Sequence, residues 1–249
     1  LDAARRCDGG NPRSVTLTEV VAAVAQAAKS VPTTLLIDGN LPCEDITAAL
    51  ALAAASRGKI NAGVYLPAED EATLDGLAAS RTRLFTPEEL TECDAILVVG
   101  DAFATHPVIS RAVHALRRRN GRTPLVVVDS LAGRTAIFAT HPLVVRAGAE
   151  SRILAVIAEK LGVGKLKPLQ VKLEEAASEA GVGADELAAA ADAIAGAKRL
   201  GVILRAEIGK APNWRQIALL SGLIASAREG GVTACLTYGN ALGGYRLAR

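Results

Sequence analysis

The sequence predicts an α/β protein of two Rossmann-like lobes, each a parallel sheet flanked by helices. Short Val/Ile/Leu runs alternate with longer Ala-rich segments of helical spacing, the order that parallel sheets with crossover helices require. Half the residues are hydrophobic while only 3% are aromatic, which suits helices packed closely on buried β-branched strands. The 249 residues exceed the usual single-domain size and can bury one large core or two modest ones.

The elements follow in order. Thr16 or Ser14 caps a first helix, with Glu19 in its first turn and Val20, Val21, Val24 and Ala28 at helical spacing; Pro32 ends it. Residues 35–37 form a short buried strand, Asp38-Gly39-Asn40 a turn, and residues 43–56 a helix with Glu44 and Asp45 in its positive first turn. A strand follows over residues 60–65. The stretch up to Glu92 carries Pro67, four acidic residues between Glu69 and Asp75, and Pro87, and is expected to be mostly loop with short helical turns. Residues 95–99 are the clearest strand, closed by Gly100-Asp101. The next helix opens near Pro107, a residue suited to a first helical position, and stops at Asn120-Gly121.

Strands are expected at 125–128 and 143–145, then a helix over 151–161. A Gly/Lys/Pro linker over residues 162–168 places the boundary between a larger lobe, 1–165, and a smaller one, 166–249. The smaller lobe reads as helices over 169–180 and 184–198, a strand over 201–204, a helix over 213–228 and a strand over 232–236.

A net charge of +2 gives no global reason to expect nucleic acid or an anionic membrane as partner. No run reaches the roughly 18–20 apolar residues that a membrane helix needs, and residues 1–13 are polar and Arg-containing rather than signal-like. A cytoplasmic protein is expected. Cys7, Cys43, Cys93 and Cys235 lie far apart, with no CxxC and no His at ligand spacing. This argues against an iron–sulfur cluster or structural zinc and for reduced, mostly buried thiols. The chain opens on Leu1 and holds no Met, so a preceding native stretch is expected.

Candidate chemistry gathers where strands end. Gly100 and Asp101, with Thr105-His106-Pro107 beyond them, lie at a strand's carboxyl end, and Asp129-Ser130 with Gly133-Arg134-Thr135 lies at the next, so both could face the crevice in which open α/β sheets bind ligands. The same residue types cap helices, and spacing alone favours that structural role. His106 has the titration range of an acid/base or ligand, but neither it, His114 nor His141 has a partner near in sequence. Arg117, Arg118, Arg119 and Arg122 end a helix, where cations complement the last carbonyls; their sharper reading is an anion site. Trp214 reads as core or as a partner anchor. There is no P-loop, GxGxxG, GxSxG or HExxH pattern.

The order of segments resembles the molybdopterin oxidoreductase family, above all its formylmethanofuran dehydrogenase B branch. The likeness runs through residues 17–23, residues 43–50, the Cys93–Asp101 stretch with Thr105-His106-Pro107, the strand to Asp129 with Arg134-Thr135-Ala136, and Tyr238-Gly239-Asn240 with the glycines after it. It implies a pterin-nucleotide pocket at Gly100, Asp101, His106, Asp129, Arg134 and Thr135. The catalytic relatives bind molybdenum or tungsten through a Cys or selenocysteine after the second strand, whereas residues 60–86 here hold neither Cys nor His. Of the cluster cysteines only Cys7 remains. The resemblance therefore implies a metal-free branch and a degenerate pocket, with no cofactor in this chain. The expected role is a non-catalytic scaffold in a formyltransferase/hydrolase complex of tetrahydromethanopterin-linked formaldehyde oxidation to formate. Its partners there are the formyltransferase, the hydrolase and the C-type chains of that family, using a methanofuran-type cofactor, and the four arginines would guide that cofactor's acidic tail. The alternatives are a fragment of a molybdenum- or tungsten-pterin formylmethanofuran or formate dehydrogenase, and a degenerate lobe of an NADH dehydrogenase large subunit.

Overall fold

A computed structural model describes residues 5–6, 12–163, 171–207 and 212–249. The expected linker at 162–168 and Cys7 lie largely or wholly outside the described residues. The chain forms two compact units, Leu1–Leu66 with Tyr238–Arg249, and Pro67–Thr237.

In the first unit a two-residue antiparallel ladder, β1 (Arg5–Arg6) with β2 (Arg13–Ser14), precedes α1 (Leu17–Ser30). Thr16 caps α1 in a full capping box with Glu19. β3 (Thr33–Asp38) and β4 (Ile60–Tyr65) pair in parallel across α2 (Cys43–Ala55). Ile37 and Ile46 are the buried centre. A C-terminal helix, Ala241–Leu247, lies close on β4, since a Cβ added to Gly244 would stand 2.9 Å from Val64 Cγ1. Asn240 Nδ2 donates to Leu41 O at 2.6 Å, and Gly239 N to Asn40 Oδ1 at 3.0 Å, which ties the chain's end to the β3–α2 turn. α1 buries none of its residues.

The second unit opens with α3 (Ala68–Ser80) and α4 (Pro87–Leu90), then β5 (Ala95–Val99), α5 (Ala102–Thr105), α6 (Pro107–Arg119) and β6 (Leu125–Asp129). α7 (Arg134–Ile137), β7 (His141–Val144), α8 (Glu150–Lys160), α9 (Leu173–Ala180) and α10 (Ala184–Ala195) follow. It closes with β8 (Leu200–Leu204), α11 (Trp214–Ser226) and β9 (Gly231–Ala234). The sheet is all-parallel in the order β7-β6-β5-β8-β9, so strand order reverses between β5 and β8.

Alternation splits the strands between two cores. Leu97, Val99, Val126, Val128, Val202 and Leu204 face α8, α9, α10 and α11. Ile96, Val98, Leu125, Val127 and Ile203 face α5 and α6 through Phe103, Ile109, Val113 and Leu116. At ~1.5–3 kcal/mol for each large apolar side chain removed from water, these layers dominate the unit's stability.

Three expectations are corrected. Residues 68–80 are a full helix, not loop; its buried face is Asp70, Thr73, Leu74, Gly76 and Leu77, too polar to register as an apolar stripe. It packs on α11 so closely that a Cβ at Gly76 would stand 2.2 Å from Arg215 O. The strand expected at 143–145 is His141–Val144, with Pro142 tolerated because β7 is an edge. The division near residue 165 does not separate two sheets: β5, buried along its whole length, needs a ladder on both edges, and β8 supplies the second.

Candidate functional site

β5 ends at Val99 and the chain turns at Gly100, with φ of +88°; a Cβ there would lie 2.3 Å from Arg205 O, so only glycine fits between the ends of β5 and β8. This is where strand order reverses, the position at which open sheets of this kind bind ligands. The parallel ladders continue to the strand ends here. Gly100 N donates to Val128 O at 3.0 Å, Arg205 N to Val99 O at 2.9 Å, and Cys235 N to Leu204 O at 2.7 Å.

The Asp101 carboxylate leaves its own helix uncapped and reaches across to the β6–β7 connection. Oδ2 accepts from Arg134 N at 3.0 Å; Oδ1 accepts from Thr135 N at 2.9 Å and from Thr135 Oγ1 at 2.6 Å. Thr135 Oγ1 in turn accepts from Phe103 N at 3.0 Å, and Thr135 is fully buried. Asp101 thus caps α7, a turn whose own preceding residue, Gly133, has no side chain to do so. Asp129 is 4% exposed and closes a local turn by accepting from Leu131 N at 3.4 Å.

His106 Nε2 meets the Leu236 carbonyl at 3.3 Å, so it carries the proton and donates; Nδ1 then accepts from Thr105 Oγ1 at 2.8 Å. Both nitrogens are satisfied in the neutral ring. Burial, reinforced by the Arg205 guanidinium, holds its pKa below the usual 6.5, against the opposing Leu236 bond and Asp70. Asp70, in the first turn of α3, is fully buried; its carboxylate accepts from Thr237 N at 2.8 Å and Thr237 Oγ1 at 3.4 Å. Burial raises its pKa above 3.8, with the Thr237 bonds and Arg205 opposing. Arg205 Nη1 donates to Cys235 O at 3.1 Å.

Of the residues singled out by sequence, Gly100, Asp101, Arg134 and Thr135 come together, the Arg134 contribution being its backbone amide. His106 belongs to a different group, with Arg205, Asp70 and Thr237, which sequence reading missed. The four arginines do not form one cradle: Arg117 donates to Phe138 O, Arg119 to Thr91 O, and the Arg122 amide to Asn120 Oδ1 at 3.3 Å, while Arg118 is exposed. His114, Arg117, Arg118 and Gly121 line a shallow depression. Among the described residues no group of three or more His, Cys, Asp or Glu side chains is placed to hold a metal ion. Cys93 and Cys235 are buried and Cys43 is exposed. No described helix is long and apolar enough to cross a membrane.

No protein-family model and no curated protein matches the sequence. Among solved structures the chain is similar to acetylene hydratase from Pelobacter acetylenicus, with a TM-score of 0.64 and 13% identity over 87% of this chain and 33% of that one. It is also similar to a chain of the formyltransferase/hydrolase complex from Methylorubrum extorquens, solved with methylofuran, with a TM-score of 0.60 and 16% identity over 93% of this chain and 59% of that one. At these identities the likeness is one of fold, and the chain spans one third of the first neighbour and under two thirds of the second.

Proposed function

We propose that this chain is a non-catalytic scaffold subunit of a cytoplasmic formyltransferase/hydrolase-type complex. In such a complex other chains move a formyl group from a tetrahydromethanopterin carrier to a methanofuran-type amine and hydrolyse it to formate. The observation that carries the reading is the Asp101 carboxylate. In a ligand-binding crevice it would face the ligand, whereas here it is engaged by Arg134 N, Thr135 N and Thr135 Oγ1. The His106 ring is likewise held by Thr105 and Leu236. The residues do not suit a metal-bearing pterin, because residues 60–86 offer no thiolate. Likeness in fold to a chain of a multi-subunit formyl-transferring assembly supports the choice of complex.

A second reading, a lobe of a larger pterin-dependent oxidoreductase, draws on the likeness to one third of acetylene hydratase. One experiment separates them. Purified from its native source through a tag, the chain should bring formyltransferase and hydrolase subunits in fixed ratio, with no molybdenum, tungsten or iron tracking it. Stoichiometric metal tracking the chain, or a chain that purifies alone, would overturn the scaffold reading.

A further inference from the structure

Helix α6 carries a cationic face that capping does not explain. Ile109, Ala112, Val113 and Leu116 face the core, which turns Arg111, His114 and Arg118 to the opposite side at helical spacing. Cations in a last helical turn answer the terminal carbonyls by their charge, and Arg117 and Arg119 are further engaged by carbonyls of neighbouring segments, Phe138 O and Thr91 O. Arg111 lies two turns earlier, beyond the reach of that effect. Some surface cations of this unit pair with carboxylates, as in Arg152–Glu179, Lys160–Asp192 and Arg199–Glu92. Among the described residues neither Arg111 nor Arg118 has one.

Beside this face the α7 turn presents apolar groups. Ile137 is 76% exposed and Phe138 43% exposed. Phe138 is not loose: its ring meets His114 edge-on at 4.7 Å between centroids, Phe103 lies at 6.4 Å, and its carbonyl is held by Arg117. A fixed aromatic edge beside a helix face that carries arginines with no carboxylate of their own has the mixed apolar and charged composition of a protein interface. A polyanion alone would have no use for Ile137 and Phe138.

We propose that the α6–α7 surface docks an acidic segment of a partner subunit, with carboxylates at Arg111 and Arg118 and an apolar side chain against Ile137 and Phe138. The inference rests on the scaffold reading. Its test is made in the complex from the native source, with a photo-crosslinking phenylalanine analogue at position 137. The crosslink should fall on a partner-subunit peptide rich in Asp or Glu. Arg118→Glu should weaken that subunit's association about tenfold without changing the chain's thermal unfolding, and reversing the charge of the crosslinked acid should restore it. In an intact complex, no crosslink, a crosslink to a second copy of this chain, or one to a peptide without acids overturns the surface and leaves the scaffold reading standing. A chain found in no complex overturns both.

Discussion

Removing the Asp101 carboxylate tests whether the strand-end polar groups serve the fold. In Asp101→Ala three donors lose their acceptor. Arg134 is exposed, so water replaces its bond at little cost. Thr135 is fully buried, and its amide and hydroxyl lose a charged acceptor that water cannot replace. At ~1–3 kcal/mol for each buried donor left unmet, and with the two non-additive, the loss should be about 3 kcal/mol. For a unit of this size that is a fall in Tm of roughly 6–12 °C. Trp214 is the chain's single tryptophan and is 4% exposed within the second unit, so its emission during guanidinium unfolding reports that unit. Gly133 supplies an independent arm. A Cβ there would stand 2.4 Å from Asp101 Oδ2, so Gly133→Ala should be costly in the wild type and at least about 1 kcal/mol cheaper when Asp101 is already Ala. A cost for Asp101→Ala below about 1 kcal/mol, or a Gly133→Ala cost equal in both backgrounds, would refute the clamp and free the carboxylate for a ligand.

Two titrating groups, the buried Asp70 and the half-buried His106, should act in opposite pH directions. Asp70 has a raised pKa, so its favourable contribution is complete below about 3.8 and is lost as pH rises through the folded value; stability relative to Asp70→Asn should therefore fall as pH rises there. His106 has a lowered pKa, so its contribution is complete above 6.5 and is lost as pH falls toward the folded value; His106→Gln should flatten that acid-side decline in a urea titration. Burial pushes the Cys93 thiol up to about 11 and the Cys235 thiol up to about 12, so iodoacetamide at pH 8, mapped by mass spectrometry, should label Cys43 long before either. Gly76→Ala forces α3 away from Arg215 O and should lower the midpoint of the Trp214 transition by an amount equivalent to ~1–3 kcal/mol.

What the sequence made legible follows from how each element is stabilised. β5, β6 and β8 are short strands built on apolar runs, four residues in β6 before Asp129 and five in β5 and β8, because both faces are covered, and a run of that kind is readable without knowing what covers it. α3 was not readable: its inward positions are Asp70, Thr73 and Gly76 beside two leucines, chosen for a close crossing with α11 and for the Thr237 bonds rather than for hydrophobicity. The boundary near residue 165 failed because nothing local to β8 says that its partner is β5, a strand more than a hundred residues earlier. At the crevice the residue types were legible and their partners were not. Spacing marks Asp101 as a strand-end cap, but which helix it caps depends on where the β6–β7 connection returns.

The crevice has a polar requirement whether or not it binds anything. Strand ends and helix starts leave amides and carbonyls that must find partners once buried. A site kept for a ligand leaves some of those donors for it. Here Arg205 Nη1 reaches from the end of β8 to Cys235 O, His106 reaches Leu236 O, and Asp70 takes the Thr237 amide, so the loop after β9 is held by three side chains from elsewhere in the unit, and of the Arg205 donors the buried Nε is left without a partner. Asp101 does the same for the loop after β6. A ligand entering this crevice would have to break such bonds before making its own, at ~1–3 kcal/mol for each buried group left unmet. The surface proposed for a partner carries no such cost, because Arg111, Arg118 and Phe138 are already exposed.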